Sequence, residues 1–500
     1  MLWLTILAVF ASLIGASYAR VEQVTLTESF ISYPGYSCYL LSRFFPNNQV
    51  HFPSSPPYTD AQSAYWSSQQ SFIAPGCRFT PHGVQDVQLA VNHLLLTNTS
   101  FAIASGGHSS NNGASNIDAG VTIDLSRLDE VTIAEEGNAV WLGPGARWSD
   151  IYAKLEESGL AVSGGRVGHV GVGGYVLGGG FSWFANELGW TCDQVLEYEI
   201  VTPARQILQV SATENEDLFW ALKGSLGAFG VVTRIKMPTV RIGNVFGGAL
   251  TYRQEHVVDV FAALQALAMK AREDLYSQAY VSFGWVQLHK RHGTSAYLMN
   301  TAGDRSSAAL AKLTSIPHVA SSLRNMTLGE SAREITDSNP LGFRRTKFTL
   351  TASSTEEAMH IVHDAYLRTT ASTRFGPDDM LGVTMQPLTL PHLLKGRNIF
   401  SLRGEKSPLL LLSAEFWWSD RAYDEMYEEA ARALHDAWGA ELQAKGLLHS
   451  WLYPNYAASW QRPFEEPSIP QGAQEALESV RQKHDPEDVW RQLVPGIWHV

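Results

Sequence analysis

The sequence predicts an α+β fold divided into two units, and three features of the chain support this. Its 500 residues are more than one hydrophobic core normally organises, and 45% of them are apolar. Short strand-like runs alternate with helical segments between Cys77 and about Pro238. A second series, in which grouped strands are accompanied by long helices, begins near Val240. This grouping is typical of an antiparallel sheet flanked by helices, which we expect in the second unit.

The first unit begins with residues 20–70, which are rich in proline, serine and tyrosine and which we interpret as a loosely structured lead-in. Beyond them, apolar periodicity and the bounding turn residues predict strands and helices. We expect strands at Ser100–Ser105, Val121–Leu125, Val195–Thr202 and Phe229–Met237, and helices at Trp148–Ser158 and Asp217–Lys223.

In the second unit the same patterns predict longer elements. The expected strands are Tyr280–Val286, Ser295–Met299, Lys347–Ala352 and Leu409–Trp418, and the expected helices are Val257–Arg272 and Tyr423–Leu442. A final segment from Ser450 ends with a predicted helix at Gln471–Lys483.

Two glycine-rich segments indicate the chemistry of the first unit. Nine of the seventeen residues from Gly164 to Gly180 are glycine, and about sixty residues earlier the chain reads Ser105-Gly106-Gly107-His108-Ser109. Glycine at this density suits a backbone with positive φ or one that closely approaches a ligand. Successive backbone N–H groups of this kind bind anions such as a pyrophosphate, and His108 adds a nucleophilic nitrogen. We therefore predict a bound dinucleotide cofactor with a histidine against it.

Several other classes of site are excluded by their spacing signatures. Position 176 is valine, where the Rossmann fingerprint beginning at Gly171 would need glycine, and no Walker-type loop occurs. The chain has no His-Glu-x-x-His and no Cys-x-x-Cys, so we expect no metal site. A net charge of −12 and the absence of Lys/Arg runs argue against nucleic acid or an anionic membrane as a partner.

The N-terminus predicts entry into the secretory pathway. Leu2–Ala16 is apolar and Ser17-Tyr18-Ala19 follows, so residues 1–19 fit a signal peptide; a signal anchor is the alternative, because no Lys or Arg precedes the apolar stretch. We expect no stable membrane span, since no later segment is long enough. Of the three cysteines, Cys38 and Cys77 lie near Pro/Gly-rich turns and are the expected disulfide, with Cys192 a buried thiol. Asn98 and Asn325 head glycosylation sequons.

A series of short motifs runs in order along nearly the whole mature chain. They are Pro75-x-Cys77, Ser105-Gly106-Gly107-His108, Val121-x-Ile123-Asp124-Leu125-Ser126, Trp141-x-Gly143-Pro144-Gly145, Val170-Gly171-Val172-Gly173-Gly174 with Gly178-Gly179-Gly180, Asn215-x-Asp217-Leu218-Phe219-Trp220-Ala221-Leu222, Phe229-Gly230-Val231-Val232-Thr233, Tyr453-x-Asn455, and Asp485-Pro486 with Pro495-Gly496. In this order they resemble the berberine-bridge-enzyme-like branch of the vanillyl-alcohol-oxidase/PCMH flavoproteins, in particular the secreted fungal FAD-linked oxidoreductases. Each motif alone is weak, and the ordered set is specific.

The resemblance implies a PCMH-type FAD-binding domain at residues 20–240, with its core at about 70–240, a substrate-binding domain at 241–448, and a C-terminal segment at 449–500 that returns to the first domain. It places His108 where the family's histidine bonds covalently to the flavin. Many relatives add a second bond from a cysteine at the position of Val167, so a single link through His108 is expected here. The further cofactor-binding residues implied are Ser105, Gly106, Gly107, Ser109, Gly171, Val172, Gly173, Gly174, Gly178, Gly179, Val231 and Asn455.

The resemblance also suggests how the substrate reacts. Val170 falls where residue size controls the access of oxygen to the flavin, and valine there favours an oxidase, whereas Tyr175 departs from the usual His or Asn. Tyr453 matches the family's C-terminal catalytic tyrosine. Glu415, a lone charge in an apolar strand, is the candidate carboxylate partner, with a solvent-exposed sheet edge as the alternative. Strand alternation places Glu415 on one face with Trp417.

Together these features lead us to expect an FAD-dependent oxidase of fungal secondary metabolism that acts on a small organic substrate with molecular oxygen. Its expected location is the secretory pathway or the cell exterior, and its expected state is a monomer. A secreted carbohydrate oxidase is the alternative within the same class. A flavoprotein that catalyses a non-redox cyclisation is the alternative from a different class, and the presence of Tyr453 counts against it.

Overall fold

The computed structural model describes residues 34–286, 291–496 and 498. The expected signal peptide at residues 1–19 lies outside them. The helices are α1 Pro34–Phe44, α2 Pro56–Ser63, α3 Ser68–Ser71, α4 Val84–Leu96, α5 Trp148–Glu156, α6 Val172–Leu177, α7 Ala185–Leu188, α8 Glu216–Ala221, α9 Val257–Met269, α10 Ala311–Ser315, α11 Leu328–Asp337, α12 Glu356–Ser372, α13 Leu390–Leu393, α14 Asp424–Ala444, α15 Gln471–His484 and α16 Val489–Leu493.

The first part of the chain forms two main sheets and a short strand pair. Its strands are β1 Val50–His51, β2 Cys77–Phe79, β3 Phe101–Ala104, β4 Val121–Asp124, β5 Val131–Ile133, β6 Ala139–Leu142, β7 Leu160–Ala161, β8 Glu197–Val201, β9 Ile207–Ser211, β10 Val231–Pro238 and β11 Val240–Arg241. One sheet has the order β1-β2-β4-β3, in which β4 runs parallel to both neighbours. The other is antiparallel with the order β5-β6-β10-β8-β9, and β11 pairs with β7.

The remainder forms a nine-stranded antiparallel sheet. Its strands are β12 Val245–Tyr252, β13 Ser277–Val286, β14 Arg291–Asn300, β15 His318–Ser321, β16 Arg324–Met326, β17 Arg344–Ser353, β18 Met380–Leu388, β19 Leu409–Trp418 and β20 Leu448–His449. They are arranged β15-β12-β14-β13-β18-β19-β17-β20, with β16 beside β12. One face of this sheet packs on α9, α12 and α14 through a core that includes Val281, Phe283, Leu381, Val383 and Phe416.

The opposite face of the nine-stranded sheet points toward the first part of the chain: Met299, Leu388, Leu409 and Leu411 join the core of that part, and the region around Ser413, Glu415 and Lys347 is polar. We call this face the polar face. Alternation along a strand sends successive side chains to opposite faces. The buried pattern of β19 follows this rule, since Ala414, Phe416 and Trp418 are buried whereas Glu415 and Trp417 are partly exposed. The α+β prediction, with an antiparallel second sheet flanked by helices, is therefore confirmed, and so is the predicted face of Glu415.

The prediction of a loosely structured lead-in at residues 20–70 is wrong for the part that the structure describes. Helices α1, α2 and α3 and strand β1 lie there. Leu41 of α1 is fully buried, and Cys38 forms the expected disulfide with Cys77, with their Cα atoms 5.8 Å apart. Composition does not reveal these elements because tertiary contacts, rather than local propensity, stabilise them: α1 packs on β2 and α4, whereas α3 packs on β17.

Candidate active site

Two glycine-rich loops cross in direct contact, and this contact explains why both contain glycine. A Cβ on Gly106 would overlap the backbone of Gly171, and a Cβ on Gly171 would overlap the backbone of Gly106. The Ser105 hydroxyl holds the crossing together: its Oγ donates to the carbonyl of Pro144 at 2.6 Å and accepts from the N–H of Gly173 at 3.2 Å. The crossing fixes the loop that carries His108 against the start of α6.

The two loops use their backbone N–H groups differently. In the longer loop the amides of Val172, Gly173 and Gly179 donate to protein carbonyls. In the loop 106–110, no amide donates to an acceptor among the described residues. A run of unpaired backbone N–H groups forms an anion-binding concavity. The loop 106–110 is therefore better suited to bind a phosphate group than the amides of the longer glycine run are.

His108 lies in a column of stacked groups that reaches the nine-stranded sheet. Its ring stacks on Trp66 with the centroids 4.2 Å apart, and the Arg345 guanidinium lies 4.2 Å from the same indole. On the other side, the Nε2 atoms of His108 and His169 are 2.7 Å apart. Arg147 donates to the carbonyls of both Gly106 and His169 and so connects the two loops.

Both histidines are held in the neutral form. Burial lowers the pKa of His108 well below its ordinary value, and His169, Lys347 and Arg345 lower it further. Burial, followed by Arg147 and Arg345, lowers the pKa of His169 to about 4. Because neither ring is charged near neutral pH, one Nε2 donates and the other accepts in the hydrogen bond between them. His108 therefore presents a neutral imidazole, which is the nucleophilic form.

Tyr453 and Asn455 pack against the end of the glycine run. The Tyr453 hydroxyl accepts from the N–H of Gly180 at 3.1 Å and from the Asn455 amide at 3.2 Å. A Cβ on Gly178 would overlap the Asn455 side chain. Burial raises the pKa of Tyr453 well above its ordinary value, and Tyr175 raises it further. Tyr453 is thus 1% exposed and retains its proton.

Tyr456 is the tyrosine that borders the polar face of the sheet, and our sequence analysis did not single it out. The turn Pro454–Tyr456 directs it away from Tyr453, with the two rings edge to face at 4.9 Å. The Lys347 ammonium lies 3.7 Å from the centroid of the Tyr456 ring, and a guanidinium nitrogen of Arg166 lies 3.5 Å from its hydroxyl. The signal was present in the sequence as the fourth residue of Tyr453-Pro454-Asn455-Tyr456.

Glu415 lies on a central strand and pairs with two cations. Its carboxylate accepts from Arg345 at 2.7 Å, and Nζ of Lys347 lies 4.0 Å from its other oxygen. The Arg345 side chain is fully buried between the indoles of Trp66 and Trp417. The alternative of a solvent-exposed sheet edge does not apply, because β19 lies between β18 and β17.

The remaining predicted cofactor residues are distributed around these loops. Val170 and Val167 are partly buried against the core near α5, and Val231 is buried where β10 pairs with β8. Gly174 faces open space, since no atom of the described residues lies within 4 Å of a Cβ placed there. The Ser109 hydroxyl accepts from the N–H of Asn111 at 3.1 Å.

Three other predicted residues lie away from these groups. Cys192 is a buried free thiol whose pKa burial raises well above its ordinary value, so it is protonated and unreactive. The sequon residues Asn98 and Asn325 are both exposed.

The residues present fit a dinucleotide. The unpaired amides of loop 106–110 suit a pyrophosphate, and this loop touches the longer glycine run at Gly171. The neutral imidazole of His108 belongs to the middle residue of the same loop. These features agree with the prediction of FAD.

Comparison with known proteins identifies the family. A family model for an FAD binding domain matches residues 75–211. The FAD-dependent monooxygenase tpcD of Cochliobolus heterostrophus is 32% identical over 471 residues, which cover 89% of this chain and 89% of that protein. The chain belongs to the berberine-bridge-enzyme-like FAD-linked oxidoreductases. A second relative of this FAD-linked oxidoreductase, the FAD-dependent monooxygenase sdcF of Emericella nidulans, is 30% identical over 460 residues and covers 90% of this chain and 95% of its own.

Solved structures confirm the fold of this FAD-linked oxidoreductase. The xylooligosaccharide oxidase of Myceliophthora thermophila superposes with a TM-score of 0.73 at 21% identity, covering 92% of this chain and 98% of its own. The glucooligosaccharide oxidase of Acremonium strictum gives a TM-score of 0.73 at 20% identity, with coverage of 91% of this chain and 97% of its own.

Within the described ranges, no helix is both long and apolar enough to cross a membrane.

Proposed function

We propose that this FAD-dependent oxidoreductase is a secreted oxidase that carries FAD bound covalently to His108 and takes hydride from a small organic substrate. The observation that carries the proposal is the neutral imidazole of His108 in the middle of a loop of unpaired amides. The fungal relatives that are named FAD-dependent monooxygenases support a role in secondary metabolism. The exposed sequons and the disulfide between Cys38 and Cys77 support secretion.

His169 supports the covalent link in the arrangement in which its Nε2 accepts from His108. When Nε2–H of His108 donates to His169, the lone pair lies on Nδ1 of His108. The glucooligosaccharide oxidase of Acremonium strictum contains a 6-S-cysteinyl, 8α-N1-histidyl FAD. Val167 has no thiol, so the expected attachment here is the histidyl bond alone.

Bound FAD supplies the hydride acceptor. We assign the removal of the substrate proton to Tyr456 rather than to Tyr453, because Tyr456 borders the open polar face whereas the Tyr453 hydroxyl is buried and bonded to Gly180. Lys347 and Arg166 lie against Tyr456, where they meet the negative charge that a phenol acquires when it gives up its proton. Glu415 holds Lys347 and Arg345 in place.

The proposal of oxygen as the electron acceptor rests on Val170, whose small side chain precedes the crossing at Gly171. An oxidase releases the oxygen as hydrogen peroxide, whereas a monooxygenase of the kind named for the relatives incorporates one oxygen atom into its product. Turnover under ¹⁸O₂ with quantification of peroxide separates these outcomes. One peroxide per product and no label in the product are expected; labelled product without peroxide would replace the oxidase proposal by a monooxygenase.

The cofactor proposal is tested on the purified chain by acid precipitation followed by absorbance of the pellet and mass spectrometry of its peptides. We expect a yellow pellet and a flavin-sized mass increment on the peptide that contains His108. A pellet without colour from a soluble, yellow preparation would refute the covalent link. A preparation that never contains flavin would refute the oxidoreductase mechanism as a whole.

A further inference from the structure

The polar face of the nine-stranded sheet contains a patch without Cβ atoms. Gly293, Gly284 and Gly382 lie on the adjacent strands β14, β13 and β18 and are directly paired in register. Strands in a sheet are about 4.8 Å apart, so the three glycines span about 10 Å. We call this patch the glycine shelf.

No protein group among the described residues explains the shelf. A Cβ on Gly382 or on Gly293 would meet no described atom within 4 Å, and neither residue has a positive φ. Glycine in a strand interior weakens the strand and is typical of a site where a ligand approaches the backbone closely. Gly284 differs, since its Cβ would lie 3.0 Å from the Leu381 carbonyl oxygen. Two of the three glycines thus leave open space rather than room for a neighbouring side chain.

The shelf continues in register into charged residues. Gly382 pairs with Glu415, and Glu415 pairs with Lys347, so the row crosses five strands. Arg345, which pairs with Glu415, lies 4.2 Å from the Trp66 indole on which the His108 ring stacks. The charged end of the row is therefore the end nearest to the proposed flavin attachment.

Positive charge exceeds negative charge at this end. Glu415 accepts from Arg345 at 2.7 Å and lies farther, 4.0 Å, from Lys347. Arg166 donates to Gln386, lies over the ring of Tyr280 at 4.6 Å, and has no carboxylate partner among the described residues. This partly buried end thus holds three cations and one carboxylate, which pairs with only two of them.

A parallel row of hydroxyls borders the shelf. Ser295, Ser282, Thr384 and Ser413 occupy successive paired positions, two residues along each strand from the shelf and Glu415 and therefore on the same face. The hydroxyls of Ser282 and Thr384 are 3.0 Å apart. A ligand lying on the shelf would find hydrogen-bonding groups along one edge.

We propose that the glycine shelf is the substrate platform and that the substrate is a planar aromatic molecule with an anionic oxygen substituent. The flat ring system lies on the backbone of Gly293, Gly284 and Gly382, and the anionic group points to Lys347 and Arg166. This inference rests on the proposed function, because it places the substrate beside the flavin site.

The experiment compares two probes of the same shape, 2-naphthoate and the neutral 2-naphthamide, together with cellobiose. Binding to the purified flavoprotein is measured by isothermal titration calorimetry and by perturbation of the flavin absorbance. We expect 2-naphthoate to bind at least tenfold more tightly than 2-naphthamide and cellobiose to bind more weakly than both. Equal affinities for the two naphthalene probes would refute the anionic substrate, and tighter binding of cellobiose would refute the aromatic platform.

Variants distinguish the shelf from the charge. Gly382→Val should weaken the binding of both naphthalene probes about tenfold, because the valine side chain fills the platform. If Gly382→Val does not fold, Gly293→Val makes the same test. Gly243→Val is the matched control, since its Cβ also meets no described atom within 4 Å but lies in the exposed segment before β12. Lys347→Met should lower the affinity for 2-naphthoate to that for 2-naphthamide. The affinity for 2-naphthamide itself should not change.

The possible failures have separate signatures. Unaltered binding in both shelf variants would refute the platform, and an unaltered preference for naphthoate in Lys347→Met would refute the assigned charge contact. Flavin content, read from the absorbance of the same samples, tests the proposed function independently, because calorimetry reports probe binding whether or not flavin is present.

Discussion

The two walls of the candidate site are built by different means. One wall, the crossing loops at residues 105–110 and 168–180, consists of backbone amides, glycines and neutral imidazoles. The other wall, the polar face of the nine-stranded sheet, combines the glycine shelf with charged and hydroxylated side chains that project from regular strands. The loop wall depends on an irregular backbone in which two glycine loops touch, whereas the sheet wall can change its side chains, the glycines of the shelf included, without altering its regular backbone. This difference suggests that the loop wall holds the cofactor and the sheet wall selects the substrate.

The largest expected effect is on the loop wall. His108→Ala removes the imidazole that carries the proposed bond, so covalent flavin should fall from complete to undetectable in acid-precipitated protein. His169→Ala should lower the covalent fraction while leaving some bound flavin, because it removes only the proposed acceptor for Nε2–H of His108. His82→Ala, in an exposed loop, is the control. Full covalent incorporation in His108→Ala would transfer the attachment to another residue.

The second effect compares two tyrosines three residues apart. Tyr456→Phe should slow the reduction of the flavin by substrate about 100-fold or more, which is typical for loss of an acid–base group. Tyr453→Phe should change that rate by less than about threefold, because its hydroxyl is buried and already bonded to Gly180 and Asn455. Stopped-flow absorbance measures both. The reverse ranking would restore the assignment made from the sequence.

The third effect concerns the stability of the sheet wall. Glu415→Gln leaves the fully buried Arg345 guanidinium without its counter-ion, which should lower the free energy of unfolding by about 3 kcal/mol. Glu157→Gln, at an exposed ion pair with Lys154, should be unchanged within error in the same urea titrations. A Glu415→Gln variant of native stability with a strongly reduced rate would instead assign Glu415 a direct role in proton transfer.

More of the loop wall than of the sheet wall could be predicted from the sequence. The loop wall depends on local motifs, so Ser105 to Ser109 and Gly171 to Gly174 could be recognised in one dimension. The sheet wall depends on pairing between strands far apart in sequence, and no local motif marks Gly284 and Gly382 as neighbours. The face of Glu415 followed from alternation, but its contact with Arg345 did not.

The prediction of a loosely structured segment at residues 20–70 was wrong for a related reason. The Cys38–Cys77 disulfide and contacts with α4 stabilise α1, and contacts with β17 stabilise α3; composition encodes neither. Tyr456 was present in the quoted motif, but only the turn geometry separates it from Tyr453.

The smallest expected effect is a dependence of stability on pH. It tests whether a third histidine, His392 on α13, is held neutral as His108 and His169 are. His392 on α13 is fully buried against Trp190 and Phe181, and its ring nitrogens have no hydrogen-bond partner among the described residues. Burial, assisted by Lys395, lowers its pKa from the ordinary 6.5 to about 3. Because the folded state disfavours the protonated ring, the stability that it contributes is complete above about pH 6.5 and is lost as the pH falls toward 3.

Denaturant unfolding at pH 6.5 and pH 5 measures this effect. One buried histidine changes the free energy of unfolding by about 1.4 kcal/mol per pH unit in this window, so His392 should account for about 2 kcal/mol of the loss. His392→Leu removes the titrating group and should reduce the loss between the two pH values by that amount. His82→Leu, at an exposed position, should not. An identical loss in His392→Leu and the wild-type chain would show that protonation of this ring does not oppose folding. Of the three histidines, only His108 and His169 would then be held neutral.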